Sequence, residues 1–231
     1  MKKFLACVFI LAIFSGVIFY FGWTQFRVKP DTIGIVVSKT NGIDDKPVQN
    51  GEFAWHWQFL LPTNATLKTF HIKPVESVKT ISGALPSGEA YAAIYGAEGL
   101  FNYSFTFDIS LTVSPEAVVE LMKLNKITDD SDLCAYLEGA AGTLAQHAVN
   151  FILTKAQDNP DFRAESLRRE EILRGIQIYK DFPEIDVSVF SIQNSKLPDY
   201  KMYKKIQNMQ PDELSAHDMQ RTQPDPLQEE N

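Results

Sequence analysis

Along the first 23 residues the chain shows no alternation at all. After Lys2 and Lys3, an uncharged, almost wholly apolar run extends from Phe4 to Trp23, "FLACVFILAIFSGVIFYFGW". Roughly 20 apolar residues carry a helix across the hydrocarbon core of a bilayer. A cleaved secretory signal has a shorter apolar core and a small-x-small cleavage site after it. Here the apolar run continues through "GVIFYFGW" and no such site follows, so residues 1–26 read as a retained single-span membrane anchor. Tyr20 and Trp23 at its far end suit the water–lipid interface. Lys2, Lys3 and the terminal amine favour a cytoplasmic amino terminus, which places the rest of the chain on the extracytoplasmic side.

Beyond the anchor the pattern changes period several times. "TIGIVVSKTNG" (32–42) predicts a β-branched strand running into a turn. "LKTFHIKPVESVKTI" predicts one or two strands around Pro74. "FNYSFTFDISLTV" (101–113) alternates strictly, with Phe101, Tyr103, Phe105, Phe107, Ile109, Leu111 and Val113 on one side, and predicts a strand with one dry face. Ser114-Pro115 then opens a helix, since proline fits the first helical position. Leu133, Leu137, Ala140, Leu144, Ala148 and Phe151 follow helical spacing over about 130–157, with Asp129 to Asp132 as capping candidates. A third helix is expected from Asp161, with Leu167, Leu173 and Ile176 inward. A late strand, "EIDVSVFSI", and a last helix, "LPDYKMYKKIQNM", close the domain. The segment 82–100 shows no clear period and reads as a long loop with a short helical turn. Residues 209–231 are polar, acidic and proline-bearing, and read as a disordered tail. The expected organisation is an anchor at 1–26, one domain at 27–208 and the tail at 209–231.

One stretch is ambiguous. In "NGEFAWHWQFLLP" (50–62) Phe53, Trp55, Trp57 and Phe59 fall on every second position. Three readings compete: a stacking platform for bases, an aromatic belt at the membrane interface, or the buried face of a strand. The first needs a basic groove, which the chain does not offer. The strand reading puts most of these rings in the core, opposite Glu52, Ala54, His56 and Gln58, with one tryptophan reaching the headgroups.

Charge narrows the partners. The net charge is -7, and no cluster of Lys and Arg is present to replace counterions on phosphates, so nucleic acid is not an expected partner. Cys7 and Cys134 are far apart in context, and no disulfide framework follows. None of His56, His71, His147 and His217 has a second histidine at metal spacing. No nucleophile, phosphate-loop or dinucleotide motif occurs. Glu170-Glu171 beside Arg168-Arg169 reads as a solvated face, because adjacent helical residues do not face each other. No catalytic, cofactor-binding or metal-binding residue is nominated, no cofactor is expected, and a non-enzymatic role is.

The order of features resembles the band 7 proteins, the group of stomatins, prohibitins and flotillins also called the SPFH family. "VKPDTIGIVVSKTNG" (28–42) is similar to the family's first strand, "NGEFAWHWQFLLP" to its glycine–aromatic–proline segment, and "FTFDISLTVSPEAV" to its long strand and helix start. "EIDVSVFSIQNSKLPDYKMYKKI" (184–206), with Leu197-Pro198, resembles the end of the domain. "GAEGLFNY" replaces a common Thr-x-Asp-Gly turn, and the family's long Ala/Glu-rich coiled coil is missing after the Leu-Pro landmark. The resemblance implies an α+β fold: an N-terminal transmembrane helix followed by an SPFH-like domain of twisted, mostly antiparallel sheet with packed helices. It further implies a membrane-anchored scaffold that self-associates into homo-oligomers, contacts the lipid bilayer, and organises or regulates other membrane proteins, a protease among them. The rival expectation is a membrane-tethered envelope enzyme or small-ligand-binding protein that uses the 82–100 loop, with Tyr91 and Tyr95 in the pocket.

Overall fold

The computed structural model of the chain describes residues 1–23, 28–96, 98–159 and 161–209. The tail expected at 209–231 therefore lies, from residue 210 on, outside the described residues, and so does the expected boundary at 26/27. The architecture is α+β, with antiparallel sheets and packed helices. In chain order the elements are α1 (Lys2–Gly22), β1 (Thr32–Ser38), β2 (Gly42–Ile43), β3 (Val48–Gln49), β4 (Ala65–His71), β5 (Val75–Ala84), α2 (Gly88–Tyr95) and β6 (Asn102–Val113). There follow α3 (Pro115–Lys123), α4 (Asp130–Asp158), α5 (Arg169–Ile176), α6 (Ile178–Asp181), β7 (Ile185–Lys196) and α7 (Tyr200–Gln207). Two compact units divide them: Met1–Glu76 with Ser110–Ala140 and Tyr179–Ser188, and Ser77–Ile109 with Ala141–Ile178 and Val189 onward.

The first unit holds α1 and a four-stranded antiparallel sheet centred on β1. One edge of β1 pairs with β4 over seven positions, from Thr32 against His71 to Ser38 against Ala65. The short strands β2 and β3 share its other edge. Side chains on both faces of β1 are buried, which explains why "TIGIVV" is nearly continuous in apolar residues. Ile33 and Ile35 are buried on one face. On the other, Val36 packs with Val28 and Val48, closed by Phe59, Ala65 and Leu67. Gly34 is needed on that face, because a Cβ there would sit 2.7 Å from Leu67 Cδ1 and 2.9 Å from Val28 Cγ2.

The helices of this unit start as their sequences require. Ser114 accepts a hydrogen bond from the Ala117 amide at 3.2 Å, leaving Val118, Leu121 and Met122 to the core. At the start of α4, Asp129 accepts from the Asp132 amide at 3.0 Å and Asp132 accepts from the Thr128 amide at 2.9 Å. These bonds satisfy donors that a helix start would otherwise leave unpaired. Glu184, whose side chain is only 8% exposed, accepts from Lys126 at 3.0 Å and from the Tyr136 hydroxyl at 3.4 Å. Burial pushes its carboxyl up. The Lys126 hydrogen bond, its own backbone and the lysine charge outweigh that and hold it below the usual carboxylate range.

The second unit contains Ser77–Ala84 of β5, Asn102–Ile109 of β6 and Val189–Lys196 of β7, strands of a three-stranded sheet of order β5-β6-β7. The alternation of β6 is realised: Phe105, Phe107 and Ile109 are fully buried. Their rings form a ladder, Phe105 to Phe107 at 6.1 Å and Phe107 stacked on Phe190 of β7 at 5.3 Å. Within α4, Ala141, Leu144, Ala145, Ala148, Val149 and Ile152 are buried. This face is broader than the single stripe expected, and Phe151 is only half-buried. The alanines let the helix backbone approach its neighbours closely.

Two expectations fail here. The third helix does not begin at Asp161, whose carboxylate pairs with Lys201 at 2.7 Å. A 3-10 turn at Ala164–Ser166 and then α5 follow, and Gln177, in the left-handed region at φ 51, separates α5 from α6. The loop expected at 82–100 is more ordered than its pattern suggests: β5 runs to Ala84 and α2 fills eight residues. Gly88 permits this, since a Cβ would sit 2.9 Å from the Phe101 Cβ.

Phe107→Ala removes the middle ring of the ladder. It is expected to destabilise the protein by about 3–5 kcal/mol, read as a lowered denaturant midpoint with an unchanged slope.

Candidate functional site

The stretch 50–62 does not form a strand. A strand needs a partner ladder, and the nearest backbone here is the end of α1. Among the described residues a single bridge forms, Trp23 to Trp55. Trp57–Leu60 then winds into a 3-10 turn. Three residues per turn put Trp57 and Leu60 on the same side, and both are exposed, Trp57 at 45%. Gln58, expected on the polar face, turns inward and is 6% exposed. Of the four aromatic rings only Phe59 packs against the core cluster of Val28, Val36 and Val48, together with Ala54. The expectation that most of these rings are core is therefore corrected: Phe53 is 64% exposed and Trp55 37%.

These residues close over the last turn of α1, a helix long and apolar enough to cross a membrane. Its 21 residues span about 32 Å at 1.5 Å each, against a hydrocarbon core of about 30 Å. The final carbonyls of any helix lack intrahelical donors. Here the His56 amide donates to the Gly22 oxygen at 2.8 Å, and the Trp23 amide to the Phe19 oxygen at 3.1 Å. The Trp55 indole lies flush on Gly22, where a Cβ would come within 2.2 Å of Nε1. Phe53 stacks on Phe19 at 5.9 Å and meets Trp23 at 6.1 Å. An exposed apolar rim results, formed by Phe53, Trp55, Trp57, Leu60 and Leu61.

Behind the rim the same segment carries buried polar groups. His56 Nδ1 faces Asp44 Oδ2 at 3.4 Å. Burial lowers the imidazole pKa below its ordinary 6.5, and the Asp44 charge only partly opposes this. Among the described residues, neither His56 Nε2 nor Gln58 Oε1 has a hydrogen-bond partner, though both atoms are buried. Two cavities flank them. One of about 260 Å³ is lined by Ser38, Asn41, Gly42, Asp44, Asp45 and Gln58, among others. The other, of about 270 Å³, includes Lys46, Glu52, Phe53, Trp55 and His56.

The remaining sequence candidates sit elsewhere and serve structure. His71 Nδ1 meets Asp130 Oδ2 at 2.8 Å while its amide donates to Asp130 Oδ1 at 2.7 Å, tying β4 to the start of α4. His147 is half-buried on α4, and His217 lies outside the described residues. Arg168, Arg169, Glu170 and Glu171 are all exposed. Tyr91 packs on Tyr203 at 5.8 Å, and the Tyr95 hydroxyl reaches Met209 Sδ at 2.8 Å. Both tyrosines border the cluster of Leu85, Ala92, Phe101, Tyr200, Tyr203 and Ile206. Burial in that cluster raises the Tyr200 hydroxyl to about 12. Among the described residues, no group of three or more His, Cys, Asp or Glu side chains is placed to hold a metal ion.

No family model matches the chain. A curated relative, an uncharacterized protein of Treponema pallidum (strain Nichols), is 24% identical over 187 residues. The match covers 79% of this chain and 62% of the relative, so the chain spans less than two thirds of that protein's length.

Two outcomes follow from this joint. Gly22→Leu places a side chain where the Trp55 indole lies and is expected to cost about 1–3 kcal/mol through overpacking, with faster hydrogen exchange at the His56 amide. For His56, the folded state binds its proton less readily than the unfolded chain. Its contribution is thus fully present above the ordinary 6.5 and declines as pH falls below that value. Melting curves across this range are expected to lose that acid sensitivity in His56→Gln.

Proposed function

We propose that this protein is a single-pass membrane scaffold. In this reading α1 spans the bilayer with its amino terminus cytoplasmic, and the rest of the chain is a band 7-like domain held against the extracytoplasmic headgroups. The domain associates with further copies of itself and organises or regulates other membrane proteins, a membrane protease among the candidate clients. The observation that carries the reading is the joint between α1 and the 3-10 turn. It fastens a rim of Phe53, Trp55, Trp57, Leu60 and Leu61 to the end of the apolar helix. Aromatic residues favour that depth because their rings are apolar and the indole N–H can reach water. The resemblance of the sequence landmarks, in their order, to those of band 7 proteins is the ground for the scaffold role. The use of Tyr91 and Tyr95 in packing, which leaves the 82–100 segment filled by its own core, also supports it.

Cross-linking in native membranes followed by sizing in mild detergent is expected to give homo-oligomers and a co-purifying membrane protein. A strict monomer without a partner would overturn the scaffold reading. Orientation is read separately on a Cys7→Ser chain, whose remaining thiol is the exposed Cys134. Burial, then the charges of Asp130 and Glu138, push that thiol up. A membrane-impermeant maleimide should therefore label it in intact cells, slowly at neutral pH and faster on alkalinisation. Labelling only after lysis would place the domain on the cytoplasmic side.

A further inference from the structure

We propose that the notch formed by Ser38, Asn41, Asp44, Asp45 and Gln58 binds a primary ammonium group. Gln58 carries the argument. It is more than nine-tenths buried, lines the notch, and its Oε1 has no hydrogen-bond partner. A buried acceptor left unpaired is costly, and native structures almost always satisfy it. The terminal amide torsion is soft, so this oxygen turns readily onto a donor placed in the notch.

The surrounding groups define that donor. Asp44 Oδ1 accepts from the Lys46 amide at 3.1 Å, and Oδ2 faces His56. Each carboxylate oxygen has two lone pairs, so Asp44 keeps acceptor capacity toward the notch. Asp45 is paired with Lys123 through Oδ1, leaving Oδ2 available. Ser38 Oγ accepts from the Asn41 amide at 3.0 Å and has a second lone pair. Acceptors therefore predominate among the polar groups of the notch, beside the Asn41 amide and the apolar Val36 and Ile43. Two carboxylates against one lysine leave a single net negative charge beside a histidine that burial keeps neutral.

That set fits a monocation with several N–H donors. An –NH₃⁺ group has three, enough for Asp44, Gln58 and one of Asp45 or Ser38. A quaternary ammonium offers no N–H and would leave Gln58 unpaired. Calcium takes six to eight oxygens and gathers more carboxylates than the two present. The ammonium could belong to an ethanolamine lipid headgroup or to a free amine. Gln58 lies two residues from His56, whose amide is bonded to the end of α1, so a headgroup is within the reach of this segment. The inference does not depend on the scaffold reading, since it concerns a ligand and not a protein partner.

The test uses the full chain in nanodiscs of phosphatidylcholine with and without phosphatidylethanolamine, and in phosphatidylcholine alone with added ethanolamine. Thermal unfolding is followed by circular dichroism. The ethanolamine lipid, or free ethanolamine, is expected to raise the Tm of the wild type where choline compounds do not. A rise with the lipid alone assigns the site to headgroups, and a rise with both assigns it to amines generally. Asp44→Asn is expected to weaken the response at least tenfold in midpoint concentration. Gln58→Leu, which removes the orphaned acceptor while keeping volume, should abolish the preference for ethanolamine over choline. An equal response to both lipid classes with no effect of free ethanolamine would overturn the proposal. So would a full response in both variants, or a response to calcium but not to amine.

Discussion

The end of a helix presents carbonyl oxygens with no donor from its own helix, and the end of α1, a helix long and apolar enough to cross a membrane, is no exception. Much in the first unit follows from how that constraint is met. The His56 amide supplies a hydrogen bond to Gly22, and doing so requires 50–62 to run alongside the end of α1. Pairing with another strand is thereby given up. Once the segment is there, the missing side chain at Gly22 receives the Trp55 indole, and Phe53 completes a ring cluster with Phe19 and Trp23. The 3-10 turn then sorts its residues by a period of three: Trp57 and Leu60 out, Gln58 and Phe59 in.

The same turn links two environments that seldom share a segment. Its outer side is an apolar rim suited to lipid, and its inner side holds the unpaired Gln58 oxygen beside a partly neutralised pair of aspartates. Burial of His56 goes with its own amide's bond to Gly22. Its lowered basicity is therefore a by-product of the helix joint as much as of Asp44. In the second unit the constraints are apolar: an aromatic ladder along β6 and the alanine face of α4.

Elements with a long, unbroken period were legible in the sequence. The alternation of β6 survives because both edges of the strand are paired and one face is fully dry. The helical spacing of α4 holds for Leu133, Leu137, Ala140, Leu144 and Ala148, which are buried, and Ser114-Pro115 and Asp129–Asp132 cap as their chemistry predicts. The aromatic stretch misleads because period-two spacing implies a strand only where a ladder partner exists, and α1 offers a helix end instead. Asp161 does not cap: its carboxylate pairs with Lys201, forty positions on, and the chain winds into a 3-10 turn before α5. The notch was not legible at all. Asp44, Gln58 and Ser38 carry no local motif and meet only through the turn between β1 and β2 and the 3-10 winding of 57–60.

The chain has three tryptophans, and all of them, Trp23, Trp55 and Trp57, belong to the joint at the end of α1. The second unit has only phenylalanine and tyrosine. Intrinsic indole emission is thus a local reporter: it follows the polarity and packing of the helix joint and is blind to the ladder of β6. Unfolding recorded through indole light and through backbone ellipticity measures two different parts of this molecule, and any gap between the two transitions measures how independently those parts melt.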